Sequence, residues 1–448
     1  MGERRLSAEL KRYGYVFSVK KTGVLYVISF GALLCLGRLF ALNLYAQCML
    51  CVIGLVFLPL FLKNAYGNQY YQRRFSDLNV YMEQFLYSFQ KTGKILATLE
   101  DLSLIFQGEE GGSTIEKAKD YILHTFDEAN VEEKGLAIIE QEYENFMLSV
   151  IHKFALQAEM LGGDYSSSTR ILLESRRMWA DRIYEMQQAR RKKRRDILFS
   201  IFVSILICLF IYMISYRLQL HMELHPVAQV ATVIVLGLDF LIFYKADSQL
   251  TVGLVEEEPE EMRYVDYFRR LKEETPKSPL KKLDHRLMKK YVTREIEKVF
   301  PKWLMTVSLL LQSENVHIAI YKSYDDAPEI LKPELKTFME DLKENPDSME
   351  PYMNFLKEYT LPEVHSAMKM LYSVSEGTGG NFEHQISEIL DRNQRLMDKA
   401  EKMRCEDELA GLYGLFLAPQ LTAGMKMAVD LMLLMVIYFG QNHVMTGM

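Results

Sequence analysis

Residues Arg190–Tyr216 read RRKKRRDILFSIFVSILICLFIYMISY: six consecutive bases, one aspartate, then an uncharged apolar run from Ile197 to Tyr216. An α-helix needs roughly 20 apolar residues to cross about 30 Å of hydrocarbon, so this run is read as a membrane span. The bases abutting it belong on the cytoplasmic side under the positive-inside rule. The apolar block continues beyond Arg217–Pro226, where charges and a proline interrupt it, into a second span at Val227–Tyr244. Together the two spans form a hairpin.

Two further apolar blocks lie at Val24–Leu62 and Leu409–Phe439. At about 1.5 Å per residue the first is nearly twice as long as one crossing requires, so it too is a hairpin. Its turn is expected at Leu42–Tyr45, with Arg38 at that end, where its guanidinium can snorkel to the interface. Arg4, Arg5, Lys11, Arg12, Lys20 and Lys21 precede it, a second cytoplasmic cluster compatible with the first. A cleavable signal peptide is not expected, because the apolar run is too long and lacks a small-residue cleavage site. The last block contains Pro419, Gln420, Lys426 and Asp430. It is either one kinked span, placing the C-terminus outside, or an interfacial helix leading into a span from near Gly424. Lys426 and Asp430, four apart, share a helix face and are expected to pair, which lowers the cost of each charge in lipid.

Net charge is −6 and the sequence pI about 6.0, so there is no general attraction to nucleic acid. Beside a membrane span, Arg190–Arg195 reads as an orientation signal and anionic-lipid contact rather than a nucleic-acid patch. Cys35, Cys48, Cys51 and Cys208 lie in apolar spans and Cys405 in a charged helix, which argues against a disulfide framework. The C-x-x-C at Cys48 and Cys51 lies in hydrocarbon without a second pair, and reads as two small apolar residues.

The polar stretches are helical in pattern. Leu78, Met82, Phe85 and Phe89 recur at helical spacing, Gly93 interrupts, and Ile95, Leu96, Leu99, Leu102 and Ile105 resume. Leu304, Val307 and Leu311, then Val316, Ile318 and Ile320, repeat that arrangement after Pro301. Glu256–Glu261 and Thr275–Lys282 read as solvated connectors. The expected fold is all-α: a polytopic helical membrane protein with two related cytoplasmic helical bundles. Its segments are an N-terminal stretch 1–23, a hairpin 24–62, a first bundle 63–196, a hairpin 197–244, a linker 245–299, a second bundle 300–407 and a membrane segment 408–448.

The relation between the bundles rests on an internal repeat. Lys94–Leu99 precedes a distant Ala158-Glu159-Met160-Leu161-Gly162-Gly163, while Asn315–Ile320 precedes Ser375-Glu376-Gly377-Thr378-Gly379-Gly380 at nearly equal distance. Each glycine pair, Gly162 and Gly163 or Gly379 and Gly380, ends one helix before a long polar one.

This arrangement of a duplicated helical domain around apolar spans resembles the type II secretion F family. The early hairpin is most similar to the platform proteins of tight-adherence (Tad) pili. The matching stretches are Phe75–Leu99, Phe154–Trp179, Phe300–Ile320 and Met368–Ala400; Glu314, standing where the first stretch has Gly93, departs from the pattern. The resemblance implies a multi-pass protein of the bacterial cytoplasmic membrane, with its N-terminus and both large domains cytoplasmic. Its implied partners are a secretion-type ATPase, pilin-like subunits, and a paralogous platform protein or further copies of itself, besides membrane lipid.

No G-x-x-x-x-G-K-[ST], G-x-S-x-G or H-E-x-x-H occurs, and Gly108–Ser113 lacks the following Lys-Ser/Thr of a nucleotide loop. His221 and His225 bracket Glu223 but have no further ligands beside them, and Asp325 and Asp326 read as surface residues. No catalytic, cofactor-binding or metal-ligating residue is therefore assigned, and the chain is not expected to be an enzyme. The leading expectation is a platform coupling an ATPase to pilin extraction and filament assembly. The alternatives are a transporter or channel component using Asp239, Lys426 and Asp430, or a membrane signalling scaffold. Glu109–Glu144 holds eleven acids against three bases, net −8, and Glu132, Glu133 and Glu140 are its candidate partner-binding residues.

Overall fold

The computed structural model describes residues 19–108, 111–125, 130–162, 165–255, 262–273, 279–311, 314–377 and 382–446, and every regular element among them is a helix. The first eight helices are α1 (Val19–Leu39), α2 (Leu44–Thr92), α3 (Ile95–Ile105), α4 (Gly112–His124), α5 (Val131–Tyr143), α6 (Phe146–Leu161), α7 (Ser166–Arg217) and α8 (Pro226–Leu250). There follow α9 (Met262–Glu273), α10 (Pro279–Leu310), α11 (Val316–Lys322), α12 (Lys332–Glu344), α13 (Glu350–Asn354), α14 (Pro362–Ser375), α15 (Phe382–Ala410) and α16 (Leu412–Thr446). They divide into two compact units. The first takes the described residues up to Ser76, Ile183–Leu254, and those from Asp407 on; the second takes Asp77–Arg182 and Val255–Glu406.

Helices α2, α7, α8 and the stretch His384–Phe439 are long and apolar enough to cross a membrane, and their apolar parts lie in the first unit, while α1 supplies a shorter apolar stretch, Gly23–Leu39. Leu33, Leu50, Cys208, Val235, Leu236 and Ala423 bring α1, α2, α7, α8 and α16 into one apolar core. Their opposite faces expose residues such as Met49, Val52, Phe199, Phe202, Ile234 and Met432. A continuous apolar exterior around a packed interior fits a membrane-spanning protein.

The first hairpin turns at Phe40–Asn43, slightly before the expected Leu42–Tyr45, because α2 already starts at Leu44. Ala41 takes a left-handed φ of 46° there. Gln229 of α8 braces the turn: its Nε2 donates to the Ala41 carbonyl at 3.1 Å and its Oε1 accepts from the Asn43 amide at 2.9 Å. The final block is one helix with Pro419 inside it. Proline removes a backbone donor from the helix interior. In that loosened turn the Ser200 hydroxyl donates to the Phe416 carbonyl at 2.6 Å and Thr422 to the Pro419 carbonyl at 2.9 Å.

The second unit contains two series of helices in the same order. After the end of α2, α3 packs on α4, α4 on α5, and α6 on both α5 and α3. After α10, α11 packs on α12, α12 on α13, and α14 on both α13 and α11. Phe85, Phe89, Leu99, Leu102, Leu148 and Ile151 fill the core of the first series; Phe300, Trp303, Phe338, Tyr352 and Phe355 that of the second. The two meet at the Lys153–Asp326 ion pair of 2.6 Å and where the Lys302 ammonium lies 5.6 Å from the Phe146 ring centre.

Unit boundaries do not coincide with hydropathy boundaries. The apolar block ends at Leu62, yet α2 stays helical through the polar residues that follow, and Phe75 packs edge-on against Tyr184 of α7 at 5.2 Å within the first unit. Helix packing, unlike membrane crossing, tolerates polar residues on the outer face.

Candidate functional site

Helix α7 presents a seven-residue rhythm of buried positions: Arg190, Ile197, Ser204, Cys208, Ile211 and Ser215 all face the interior of the first unit. On α8 the inner positions include Gln229, Thr232, Leu236, Asp239, Ala246 and Asp247, and on α16 they include Ala423, Lys426, Asp430 and Leu434. Small and hydroxylated residues on such faces let helices approach closely and hydrogen-bond across, which is how polar groups are accommodated in a membrane bundle.

The result is a buried polar cluster. Lys426 and Asp430, 5% and 0% exposed, form the ion pair expected from their spacing. Asp239, 4% exposed, accepts from the Ser204 hydroxyl at 3.2 Å through Oδ2. Cys208 is within electrostatic range of Lys426, Asp430 and Asp239. The Oδ1 atoms of Asp239 and Asp430 are buried without a hydrogen-bond partner. Each carboxyl thus keeps one acceptor oxygen unmet in an apolar surrounding. Among the described residues no group of three or more His, Cys, Asp or Glu is placed to hold a metal ion.

The basic run at the other end of α7 is divided by the helix. Arg190 donates to the Val252 carbonyl at 3.2 Å, and Arg194 pairs with Asp247 at 2.7 Å. The Lys193 ammonium lies 3.9 Å from the Tyr413 ring centre, a cation–π contact with α16. Half of a run read as an orientation signal thus also ties α7 to α8 and α16. At the opposite end His225 caps α8, its Nδ1 accepting from the Val227 amide at 3.3 Å.

Of the acidic candidates in the second unit, Glu133 is exposed and Glu132 half-buried, both in the first turn of α5, where carboxylates favour a helix N-terminus. Glu140 is different. Its Oε1 lies 2.9 Å from His152 Nδ1, and His152 Nε2 lies 3.0 Å from the Tyr81 hydroxyl, in a core where Tyr81 and His152 are buried. A carboxylate only accepts, so His152 Nδ1 donates to Glu140. The sequence showed only a surface-like acid, since the histidine lies on the next helix.

Burial alone pushes the Glu140 carboxyl up, but hydrogen bonds from His152 and Ser149 and the charges of His152 and Lys153 outweigh it, leaving it below its ordinary value. A carboxyl depressed on folding contributes stability that is present above its unfolded value, about 4.3, and lost as the pH falls through the folded value. Denaturant unfolding should therefore show the wild type losing more stability than Glu140→Gln as pH is lowered below about 4.3. Parallel pH profiles for the two proteins would contradict this.

Of the repeat glycines, Gly162 ends α6 with φ 66°, a left-handed conformation open to glycine. Gly163, Gly379 and Gly380 lie outside the described residues. In the second series Gly377, φ 63°, lies two residues past the end of α14, opposite Met160 rather than Gly162 in the repeat. Glu159, two residues before the first pair's leading leucine, has a structural task of its own. Its Oε2 accepts from the Ile95 amide at 2.8 Å and so caps α3, while Lys94 pairs with it at 3.3 Å. In the second series Asn315 performs this capping directly, accepting from the Ile318 amide at 2.9 Å.

Comparison with known proteins finds no matching family model, no matching curated protein and no matching solved structure.

Proposed function

We propose that this chain is a non-enzymatic assembly platform of the type II secretion F or tight-adherence pilus kind. In this role it sits in a bacterial cytoplasmic membrane and couples a partner ATPase to the extraction of pilin-like subunits and their addition to a filament. The observation that carries the reading is the recurrence, within the second unit, of the same helix order and the same pattern of neighbours. Two related bundles from an ancestral duplication would produce that recurrence. The unbroken helices α2 and α7, each with residues in both units, supply a covalent route by which work done on one unit reaches the other.

The test is charge reversal at Glu132 and Glu133, leaving out Glu140 because its carboxylate holds His152. Glu132→Lys/Glu133→Lys takes the Glu109–Glu144 stretch from net −8 to −4. ATPase co-purification and filament assembly should fall by about fivefold or more with membrane abundance unchanged, since electrostatic complementarity governs encounter and specificity. ATP hydrolysis by the purified chain alone, or normal filaments in a strain lacking it, would refute the platform. A transporter or channel reading draws on buried Asp239, Lys426 and Asp430. Ion flux into vesicles holding the purified chain, abolished by Asp239→Asn, is the outcome that would favour it.

A further inference from the structure

We infer that the outward face of the basic run on α7 is a binding site for the phosphate headgroup of an anionic lipid. The inference is independent of the platform reading. Arg190, Lys193 and Arg194 are engaged by groups of α8, the segment after it, and α16. Arg191, Lys192 and Arg195 are exposed, and with Gln188 they line an open cleft whose remaining polar walls are Arg194 and Glu185.

Position along the helix identifies the occupant. Gln188, Lys192, Arg195, Phe199, Phe202 and Leu206 follow at spacings of four, three, four, three and four, so they lie along one face. Phe199, Phe202 and Leu206 are exposed in the apolar span and need hydrocarbon to cover them. One turn away on the same stripe stand the cations, at the depth where a lipid's headgroup lies when its acyl chains cover those side chains. Arg191 adds a second guanidinium beside Lys192, and a guanidinium donates in a fork that matches phosphate oxygens. A free phosphate-bearing solute would satisfy the cations but leave the apolar half of the stripe uncovered. A diacyl anionic lipid satisfies both.

Native mass spectrometry of the full chain released from mixed phosphatidylcholine and phosphatidylglycerol nanodiscs reads this directly. Wild-type protein should retain phosphatidylglycerol preferentially, and the preference should fall about fivefold for each of Arg191→Gln, Lys192→Gln and Arg195→Gln. The triple variant should bind the two lipids alike. The single variants keep the test usable should the triple variant fail to fold. Equal retention of both lipids by the wild type, or an unchanged preference in the single variants, would overturn the site. Displacement of the lipid by inorganic phosphate at matched concentration would overturn the lipid assignment in favour of a soluble ligand.

Discussion

Lys426→Ala alone should destabilise the protein by about 3–5 kcal/mol, and Lys426→Ala/Asp430→Ala together should cost less than that. Both side chains are inside the first unit and pair with each other across one turn of α16. Removing the lysine leaves the Asp430 carboxylate buried with one oxygen already lacking a partner, so its desolvation is no longer offset. Asp430→Ala strands the ammonium in the same way. The double variant removes both charges and leaves only a cavity, whose cost is that of lost packing. Yield in membranes and thermal unfolding in detergent are the measurements. Single and double variants of equal stability would mean that the pair is solvated and contributes nothing.

Trp303→Ala should be comparably damaging, at about 3–5 kcal/mol, because it empties the centre of the second helix series. The ring is 1% exposed and packs against Phe300 at 5.6 Å and Phe355 at 5.9 Å between centroids. Its Nε1 donates to the Ser323 hydroxyl at 2.9 Å, and Ser323 in turn donates to the Ile320 carbonyl at 2.8 Å. Trp303→Phe preserves most of the contact area, loses that one hydrogen bond and should cost far less than alanine, with about 1 kcal/mol assigned to the bond. Trp179 remains as a fluorescence probe in both variants. Equal melting temperatures for the Ala and Phe variants would place the cost in the hydrogen bond rather than in packing.

The ion pair at Lys426 and Asp430 was legible because a helix places residues four apart on one face, whatever surrounds it. Asp239 was legible only as an intramembrane acid. Its hydroxyl partner, Ser204, is 35 residues away on another helix, and no local pattern links them. Glu140 shows the same limit from the opposite side. Within an acidic stretch it has the pattern of a solvated face, and only the docking of α6 on α5 brings His152 to it. Glu159 was noted as part of a repeated motif, but its role as the cap of α3 depends on an amide 64 positions earlier.

Sequence alone determined that the chain is helical, where its apolar blocks lie, and that the first and second blocks turn back on themselves. These follow from hydrogen bonding and hydrophobicity within contiguous segments, because a helix satisfies its own backbone in hydrocarbon and its length is set by the bilayer. The tertiary structure decided which face of each helix turns inward. Along Arg190–Arg195, identical charge gives no distinction among the residues, yet three are taken by Val252, Asp247 and Tyr413 while Arg191, Lys192 and Arg195 remain outside. Periodicity establishes which residues share a face, but the free energy of burying that face depends on the groups opposite it, and those come from segments distant in the chain.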